Sequence, residues 1–188
     1  MKLMVYGRAT PAVVAVALLA LLALVRARAQ AGEPDPCAAF SFDVAHERAL
    51  FATAPVRVSA GAKPESAPIL AADRLYRIAL VPEEQVTFAA APERKRGGAG
   101  TDAGLARLHI ASAGSYRLAL SQPFWVDMVQ GGSLVSSARF TGSHGCNAPH
   151  KVVEYTLAAG DYILQISGLK SADVEITLTS APTAAPAR

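Results

Sequence analysis

The feature that most constrains the fold of this chain is a short phrase that occurs twice. The first copy, AGSYRL, spans residues 113–118, and the second, AGDYIL, spans residues 159–164. Alternating apolar residues precede and follow each copy, which is typical of two strands joined by a tight turn. Glycine provides the backbone freedom that such a turn needs, and the Ser or Asp after it caps the turn. We therefore predict two matched β-hairpins.

Further short strands are predicted on both sides of this repeat. Gly or Pro residues separate the alternating runs at nearly every junction, and this spacing is typical of an antiparallel sandwich. We predict an all-β protein, a jelly-roll-type β-sandwich with about nine or ten strands. The predicted strands are 40–44, 75–80, 85–88, 105–110, 116–120, 124–129, 134–140, 151–157, 162–166 and 174–178. Residues 45–51 fit either one helical turn or a continuation of the first strand.

The same alternation predicts which side chains form the core. Successive residues of a strand point to opposite faces, so one apolar set of each strand is expected to face the other sheet. The predicted core residues are Phe42, Leu75, Ile78, Phe88, Leu108, Ile110, Leu118, Phe124, Val126, Phe140, Val153, Tyr155, Ile163 and Ile166.

The first 31 residues are organised like a secretory signal peptide. Lys2 and Arg8 lie near the start, an apolar run covers residues 11–25, and small residues offer cleavage positions after Ala29 or Ala31. This run of about fifteen residues is shorter than the roughly twenty that a membrane-spanning helix needs. We therefore expect a signal at 1–31 that is cleaved, and a mature protein in the periplasm or outside the cell with no membrane attachment. An uncleaved anchor is the alternative.

Removing the signal changes the charge of the chain. The whole sequence has 18 Lys and Arg residues and 15 Asp and Glu residues. Four of those basic residues and no acidic residue lie in the first 30 positions, which leaves 14 basic and 15 acidic groups. A mature protein with a net charge of about −1 has no basic face of the kind that nucleic acids need, so nucleic acid is excluded as a partner.

The two cysteines, Cys37 and Cys146, are expected to form one disulfide in an oxidising compartment. It would close a loop of about 109 residues, which is worth on the order of 4–5 kcal/mol in the chain-entropy model. The predicted organisation is a linker at 32–38, a sandwich domain at 39–180 and a disordered tail at 181–188. Residues 92–100, with three consecutive basic residues, are typical of a solvated loop, and anion binding is the alternative.

A family resemblance adds to this prediction. Residues 155–162, YTLAAGDY, and the first copy of the phrase resemble the final hairpin of bacterial pre-peptidase C-terminal domains and related carbohydrate-binding-like jelly rolls. The likeness covers about the last 70 residues. The chain also resembles a set of exported proteobacterial proteins of unknown function. The resemblance implies a compact β-sandwich accessory module of the cell envelope.

One set of residues has the chemistry of a metal site. His144 and His150 flank Cys146, Glu154 follows four residues later, and His46 is a further candidate ligand. Imidazole, thiolate and carboxylate groups bind copper or zinc. A sulfur atom in a disulfide is not available as a thiolate ligand, so a disulfide-anchored surface loop is favoured over a metal-dependent, cupin-like or copper protein. Without the metal, no cofactor is predicted.

Trp125 and Asp127 are the candidate ligand-binding residues. Strict alternation places Phe124, Val126 and Met128 on one face of their strand and Trp125 and Asp127 on the other. An exposed Trp beside a carboxylate is a platform on which sugars stack, whereas a Trp packed under a loop is the ordinary structural alternative.

No catalytic residue is predicted. Ser143 and His144 are adjacent, but neighbouring residues rarely form a nucleophile and base pair. The sequence therefore favours an exported, non-catalytic binding or accessory module over an enzyme. We expect its partner to be a carbohydrate or an envelope protein, while the oligomeric state is left open.

Overall fold

Twelve strands and one seven-residue α-helix make up the regular structure of the residues described by the computed structural model, 35–94, 100–146 and 148–181. The helix is α1 (Ala45–Phe51), and short 3-10 helices cover Pro36–Ala39, Pro64–Ser66 and Glu83–Gln85. In chain order the strands are β1 (Val56–Ser59), β2 (Ile69–Leu70), β3 (Leu75–Ala79), β4 (Val81–Pro82), β5 (Asp102–Ile110), β6 (Gly114–Leu120), β7 (Trp125–Gln130), β8 (Ser133–Val135), β9 (Arg139–Gly142), β10 (Lys151–Leu157), β11 (Gly160–Leu169) and β12 (Asp173–Ser180).

The strands form two sheets. The first sheet has the order β1-β3-β12-β6-β10-β9, and the second has the order β2-β5-β11-β7-β8, with β4 paired to β5. Most neighbours are antiparallel, but β1 pairs with β3 and β2 pairs with β5 in parallel, so both sheets are mixed. The two sheets pack together, which confirms the predicted all-β sandwich.

Several predicted elements differ from the structure. Residues 40–44 are not a strand, the segment after them is helix α1, and 85–88 contains the end of a 3-10 helix rather than a strand. Phe40, Phe42 and Val44 alternate as in a strand, but the same spacing also suits an irregular segment that packs on a sheet without joining it. Alternation alone therefore did not distinguish a strand from such a segment. The strand number exceeds the prediction partly because β2 and β4 have two residues each.

The interior between the sheets contains most of the predicted core. Ile78, Leu108, Leu118, Ile166 and Tyr155 belong to one buried cluster. Four core predictions are wrong: Phe42, Phe88 and Ile163 are only half-buried, and Phe140 is 67% exposed. Phe140 has the alternation of a core residue but lies on β9, at the edge of its sheet, where no further strand covers it.

The repeated phrase does not form hairpins. Its first copy connects β5 of the second sheet to β6 of the first, and its second copy connects β10 of the first sheet to β11 of the second. Each copy is therefore a connection between the sheets. A glycine turn between two alternating runs looks the same in sequence whether the runs pair with each other or with other strands.

The tyrosine of each copy fixes its connection in the same way. The Tyr116 hydroxyl donates to the Ser112 carbonyl at 2.8 Å, and the Tyr162 hydroxyl donates to the Ala158 carbonyl at 3.0 Å. Both bonds reach back four residues, as in the tyrosine corners that brace sheet-to-sheet turns in other sandwiches. At Gly160, φ is +143°, a conformation that favours glycine.

Residues 36–51, called the N-terminal segment below, cover the outer face of the first sheet. Val44 packs against Ala119 and Val152, and Phe40, Phe42 and Phe51 surround this contact. Cys37 and Cys146 form the predicted disulfide, which ties the start of the segment to the loop after β9. The compact unit begins at Pro36, so it includes the last residues of the predicted linker.

Two predicted segments lie outside the described residues. They are the signal peptide at 1–31 and, except for Ala181, the tail at 181–188. None of the helices in the described part of the chain has the length and apolar character required to cross a bilayer.

Candidate functional site

The candidate metal ligands do not meet. His46 Nε2 lies 2.8 Å from Asp73 Oδ1, and His150 Nδ1 lies 3.1 Å from the Cys146 carbonyl oxygen. The His144 and His150 rings are 6.3 Å apart between centroids. Across residues 35–94, 100–146 and 148–181, no three His, Cys, Asp or Glu side chains are grouped as a metal ion would need. The described residues therefore provide no assembled copper or zinc site.

Glu154, the remaining metal candidate, belongs to an ion-pair network beneath the N-terminal segment. Its carboxylate accepts hydrogen bonds from Arg117 Nε and Arg139 Nε, both at 3.0 Å. Burial alone would raise the pKa of Glu154, but the hydrogen bonds and charges of the two arginines outweigh burial and lower it. The network stabilises the covered face, which is the outer face of the first sheet beneath the N-terminal segment. It keeps the Glu154 carboxylate ionised, with both of its oxygens hydrogen-bonded.

A cleft opens on the opposite side of the first sheet, between the ends of the two sheets. It has a volume of about 560 Å³ and is bounded by β7 and β8 of the second sheet and by β9 and β10 of the first. Buried side chains of Val126, Val153 and Tyr155 form its base. Trp125, Phe140, Glu93, Arg94, Lys151, Ser136 and Ser137 also line it. An apolar base with polar and charged groups around it is the usual composition of a ligand site.

The two predicted ligand-binding residues both line this cleft. The alternation of β7 is as predicted, since Phe124, Val126 and Met128 are in the core cluster. On the other face, the half-buried Trp125 donates its indole N–H to Asp127 Oδ1 at 2.7 Å. The indole ring is therefore held in one orientation by a carboxylate two residues away.

Asp127 is an organising residue rather than an exposed acceptor. It is only 5% exposed, and its second oxygen accepts the Glu93 backbone N–H at 3.3 Å. Burial raises the pKa of Asp127, and the hydrogen bonds from Trp125 and the Glu93 backbone partly oppose this rise. The Asp127 carboxylate thus joins β7 to residues 90–94, called the crossing segment below, which lie on the outer face of the second sheet. This segment carries Arg94 to the cleft.

That crossing segment is fixed at a second point by Gln165. The buried side-chain amide of Gln165 accepts the Ala90 N–H at 2.9 Å and donates to the Ala90 carbonyl at 3.2 Å. The Gln165 amide thus gives the Ala90 backbone the two hydrogen bonds that a neighbouring strand would otherwise provide. Residues near Ala90 are held on the sheet, which places Glu93 and Arg94 beside Trp125.

Two cations lie against the Trp125 ring. The Arg94 guanidinium carbon is 4.9 Å from the ring centroid, and Lys151 Nζ is 5.6 Å from it. Lys151 Nζ is also 5.2 Å from the Phe140 ring centroid, so this ammonium group lies between two aromatic side chains. These distances are in the range of cation–π attraction, which holds both charges at the cleft.

Tyr155 contributes a hydroxyl group at the base of the cleft. The residue is only 3% exposed and is among the side chains that line the cleft. Its oxygen is not among the fully enclosed unpaired atoms, which are Glu47 Oε2, Ser167 Oγ and Thr177 Oγ1. Since Tyr155 lines the cleft, we infer that its hydroxyl faces the open space there.

The sequence analysis did not identify Arg94, Phe140, Lys151 and Tyr155 as site residues. Arg94 belongs to the basic loop for which anion binding was the alternative, while Phe140 and Tyr155 were predicted in the core. The pairing of Lys151 with Gly142, and of Val153 with Phe140, puts their side chains on the cleft side of the first sheet. Strand pairing was therefore the information that the sequence pattern lacked. Alternation predicts on which face of a sheet a side chain lies, but not which residues of other strands lie beside it.

Comparisons with known proteins add little to this description. No protein-family model and no curated protein sequence matches the chain. Among solved structures, the chain is similar to a β-glucosidase from Paenibacillus barengoltzii at 15% identity, with a TM-score of 0.28. The match covers 66% of this chain and 13% of that protein. A likeness at this level carries no argument about function.

Proposed function

We propose that this protein is an exported, non-catalytic β-sandwich binding module, and that its ligand site is the cleft at Trp125. The observation that carries the proposal is the fixed orientation of the Trp125 ring, whose N–H is bonded to the buried Asp127. An aromatic ring held in place at the wall of a cleft binds a ligand without the entropy cost of ordering a mobile side chain. Carbohydrate is the ligand class that such a platform suits.

Two features of the chain support export. The first 31 residues have the layout of a signal peptide. The Cys37–Cys146 disulfide is the kind of bond that persists in the periplasm or outside the cell. The resemblance of residues 155–162 to envelope accessory domains is in keeping with this role.

The non-catalytic part of the proposal is supported by the partners of two carboxylates, those of Asp127 and Glu154. Asp127 accepts hydrogen bonds from Trp125 and from the Glu93 backbone. Glu154 is bonded to two arginines on the covered face. These carboxylates hold the structure of the chain, and a cleft of this kind binds a ligand through aromatic contact and hydrogen-bond donors.

The test combines localisation with binding. The full chain is expressed in a Gram-negative host, the periplasmic fraction is isolated, and its mass is measured. A mass matching cleavage after Ala29 or Ala31 is expected, and retention of the whole chain in the membrane fraction would contradict export.

The exported protein is then titrated calorimetrically with neutral and acidic oligosaccharides. Trp125→Ala and Phe140→Ala are each expected to weaken the binding by at least about tenfold. His109→Ala is the matched control, because His109 is exposed on β5 and does not line the cleft. Binding that survives both cleft substitutions, or no binding by any saccharide, would refute the proposed site.

A further inference from the structure

Gln165 is a buried polar residue whose position suggests a role in the cleft that it does not line. It lies on β11, the central strand of the second sheet, and is only 1% exposed beneath the crossing segment. Burying a side-chain amide is costly unless its donor and acceptor are hydrogen-bonded. The partners of the Gln165 amide therefore indicate what the residue does.

The first partner is the backbone of the crossing segment. Gln165 Oε1 accepts the Ala90 N–H at 2.9 Å, and Gln165 Nε2 donates to the Ala90 carbonyl at 3.2 Å. Residues 89–91 are all alanine, so small side chains let this part of the chain lie close to the sheet. Both backbone groups of Ala90 are thus bonded to one side chain, and that side chain fixes where the segment lies.

The second partner is Asp127, which is directly opposite Gln165 in the pairing of β11 with β7. Burial raises the pKa of Asp127, and a hydrogen bond from the Gln165 side chain is one of the contacts that oppose this rise. Asp127 in turn accepts the Trp125 indole N–H at 2.7 Å and the Glu93 N–H at 3.3 Å. Gln165 is thereby connected to the indole ring through a single intervening side chain.

The chain itself makes another connection between Gln165 and the ring. From Ala90 the crossing segment continues to Glu93 and Arg94, which both line the cleft. The Arg94 guanidinium carbon lies 4.9 Å from the Trp125 ring centroid. The wall of the cleft beside the ring therefore begins three residues after the backbone that Gln165 holds.

We propose that Gln165 is a positioning residue of the ligand site, because it holds the crossing segment and Asp127 so that the Trp125 ring and its wall are in place before a ligand binds. This inference rests on the proposed function, since it concerns affinity at the same cleft. A wall that is already ordered costs no ordering entropy on binding, so the affinity depends on a side chain that the ligand does not touch.

Gln165→Met tests the positioning role, because it keeps a side chain of similar length and removes the amide. Acrylamide quenching of the fluorescence of Trp125, the single Trp of the chain, should increase. The Ala90 and Glu93 amides should exchange hydrogen about tenfold faster or more, since two hydrogen bonds to the segment are lost. Ile176→Val is the matched control, because it weakens the core on β12 of the first sheet, away from the cleft, and both readouts should stay unchanged.

The binding arm titrates each exported variant calorimetrically with cellotriose, maltotriose and the trimers of N-acetylglucosamine and galacturonic acid. Gln165→Met should weaken the binding of any trisaccharide that the wild type binds by about tenfold, and Ile176→Val should change it by less than about twofold. Ala90→Pro removes the N–H that Gln165 accepts and should act in the same direction, which keeps the test valid if Gln165→Met unfolds. Thermal unfolding checks that each variant is folded.

The outcomes separate this inference from the proposed function. Unchanged quenching and hydrogen exchange in Gln165→Met and Ala90→Pro would overturn the positioning role. Greater exposure of Trp125 with unchanged affinity, or an equal loss of affinity in Ile176→Val, would also overturn the inference and leave the binding module standing. Failure of the wild type to bind any of the four saccharides would overturn the proposed function, and the claim about affinity would fall with it.

Discussion

Two aromatic rings in this protein each lie against a pair of cationic side chains, one on the covered outer face of the first sheet and one in the cleft. On the covered face the ring is Phe42, with the guanidinium carbons of Arg117 and Arg139 at 4.4 and 4.7 Å from its centroid. Both guanidinium groups donate to Glu154 at 3.0 Å. Helix α1 and the segment before it close over this arrangement.

In the cleft the ring is Trp125, and its cations are Arg94 and Lys151. The neighbouring carboxylate, Asp127, bonds to the indole N–H and to backbone, and no further element of the described chain closes over the cleft. Similar side chains thus serve different ends. On the covered face the cations over the ring belong to a buried ion-pair network that contributes to stability, whereas the cations over Trp125 lie at the wall of an open cleft.

The largest expected effect on stability comes from removing the Cys37–Cys146 disulfide, which links the N-terminal segment to the loop after β9. Replacing both Cys37 and Cys146 by Ser should lower the free energy of unfolding by about 4 kcal/mol, because the disulfide closes a 109-residue loop. Urea unfolding monitored by circular dichroism measures this change. The cleft of the folded double variant should still bind its ligand, and an unchanged unfolding midpoint would show that the cover holds without its covalent tie.

The next effect concerns the buried guanidinium at the centre of the covered network. Arg117 is 5% exposed, donates to the Asp43 carbonyl at 2.8 Å and pairs with Glu154. Arg117→Met should therefore cost about 3 kcal/mol, because it leaves buried acceptors without their donor. Arg77→Met is the control, since the Arg77–Glu175 pair is more exposed and its loss should be much smaller. Equal losses in the two variants would contradict the distinction between covered and open charges.

The covered carboxylate should make stability rise with pH in the acidic range. The pKa of Glu154 is lower in the folded protein than its ordinary value of 4.5. Its stabilisation is therefore fully present above about 4.5 and is lost as the pH falls through the lower, folded-state pKa. Urea midpoints measured from neutral to strongly acidic pH should show this loss, and Glu154→Gln should reduce it. Parallel pH profiles for the two proteins would count against the network.

The cleft carboxylate should act with the opposite sign. Burial raises the pKa of Asp127 above its ordinary value of 3.8. The folded state then favours the protonated acid, so its stabilising contribution is present below about 3.8 and is lost as the pH rises through the raised pKa. Asp127→Asn keeps an oxygen for the Trp125 N–H and should remove this pH dependence. A variant that instead loses stability most at neutral pH would show that the ionised carboxylate is stabilising there.

The smallest effect on stability is expected at the mouth of the cleft. Phe140 is 67% exposed, so Phe140→Ala should change the free energy of unfolding by less than about 0.5 kcal/mol. The same substitution should weaken ligand binding, since it removes one aromatic wall. A large loss of stability with unchanged binding would return Phe140 to the structural role that alternation first suggested.

The local pattern of the sequence was enough to predict the longer strands of the sandwich and the inward face of β7. Cys37 and Cys146 were paired correctly because the chain has no other cysteine. The partners of each strand were not predictable in this way. Two alternating runs around Gly114 suggested a hairpin, but the runs belong to different sheets.

The candidate site was predicted only in part, for the same reason. Trp125 and Asp127 were found because they are two residues apart on one strand. Arg94 and Lys151 reach Trp125 from distant parts of the chain, through the segment held by Gln165 and through the pairing of β9 with β10. Long-range pairing sets such neighbours, and a single sequence does not display it.

The most direct test of the cleft uses its only indole. Trp125 is the single Trp of the chain, so a nitrogen-15 correlation spectrum contains one indole N–H signal, from the group bonded to Asp127. On titration with an oligosaccharide that binds, this signal should move saturably, with the same affinity that calorimetry gives, and Phe140→Ala should weaken the response. An indole signal that stays fixed while calorimetry records binding would show that the ligand binds elsewhere and would contradict the central claim.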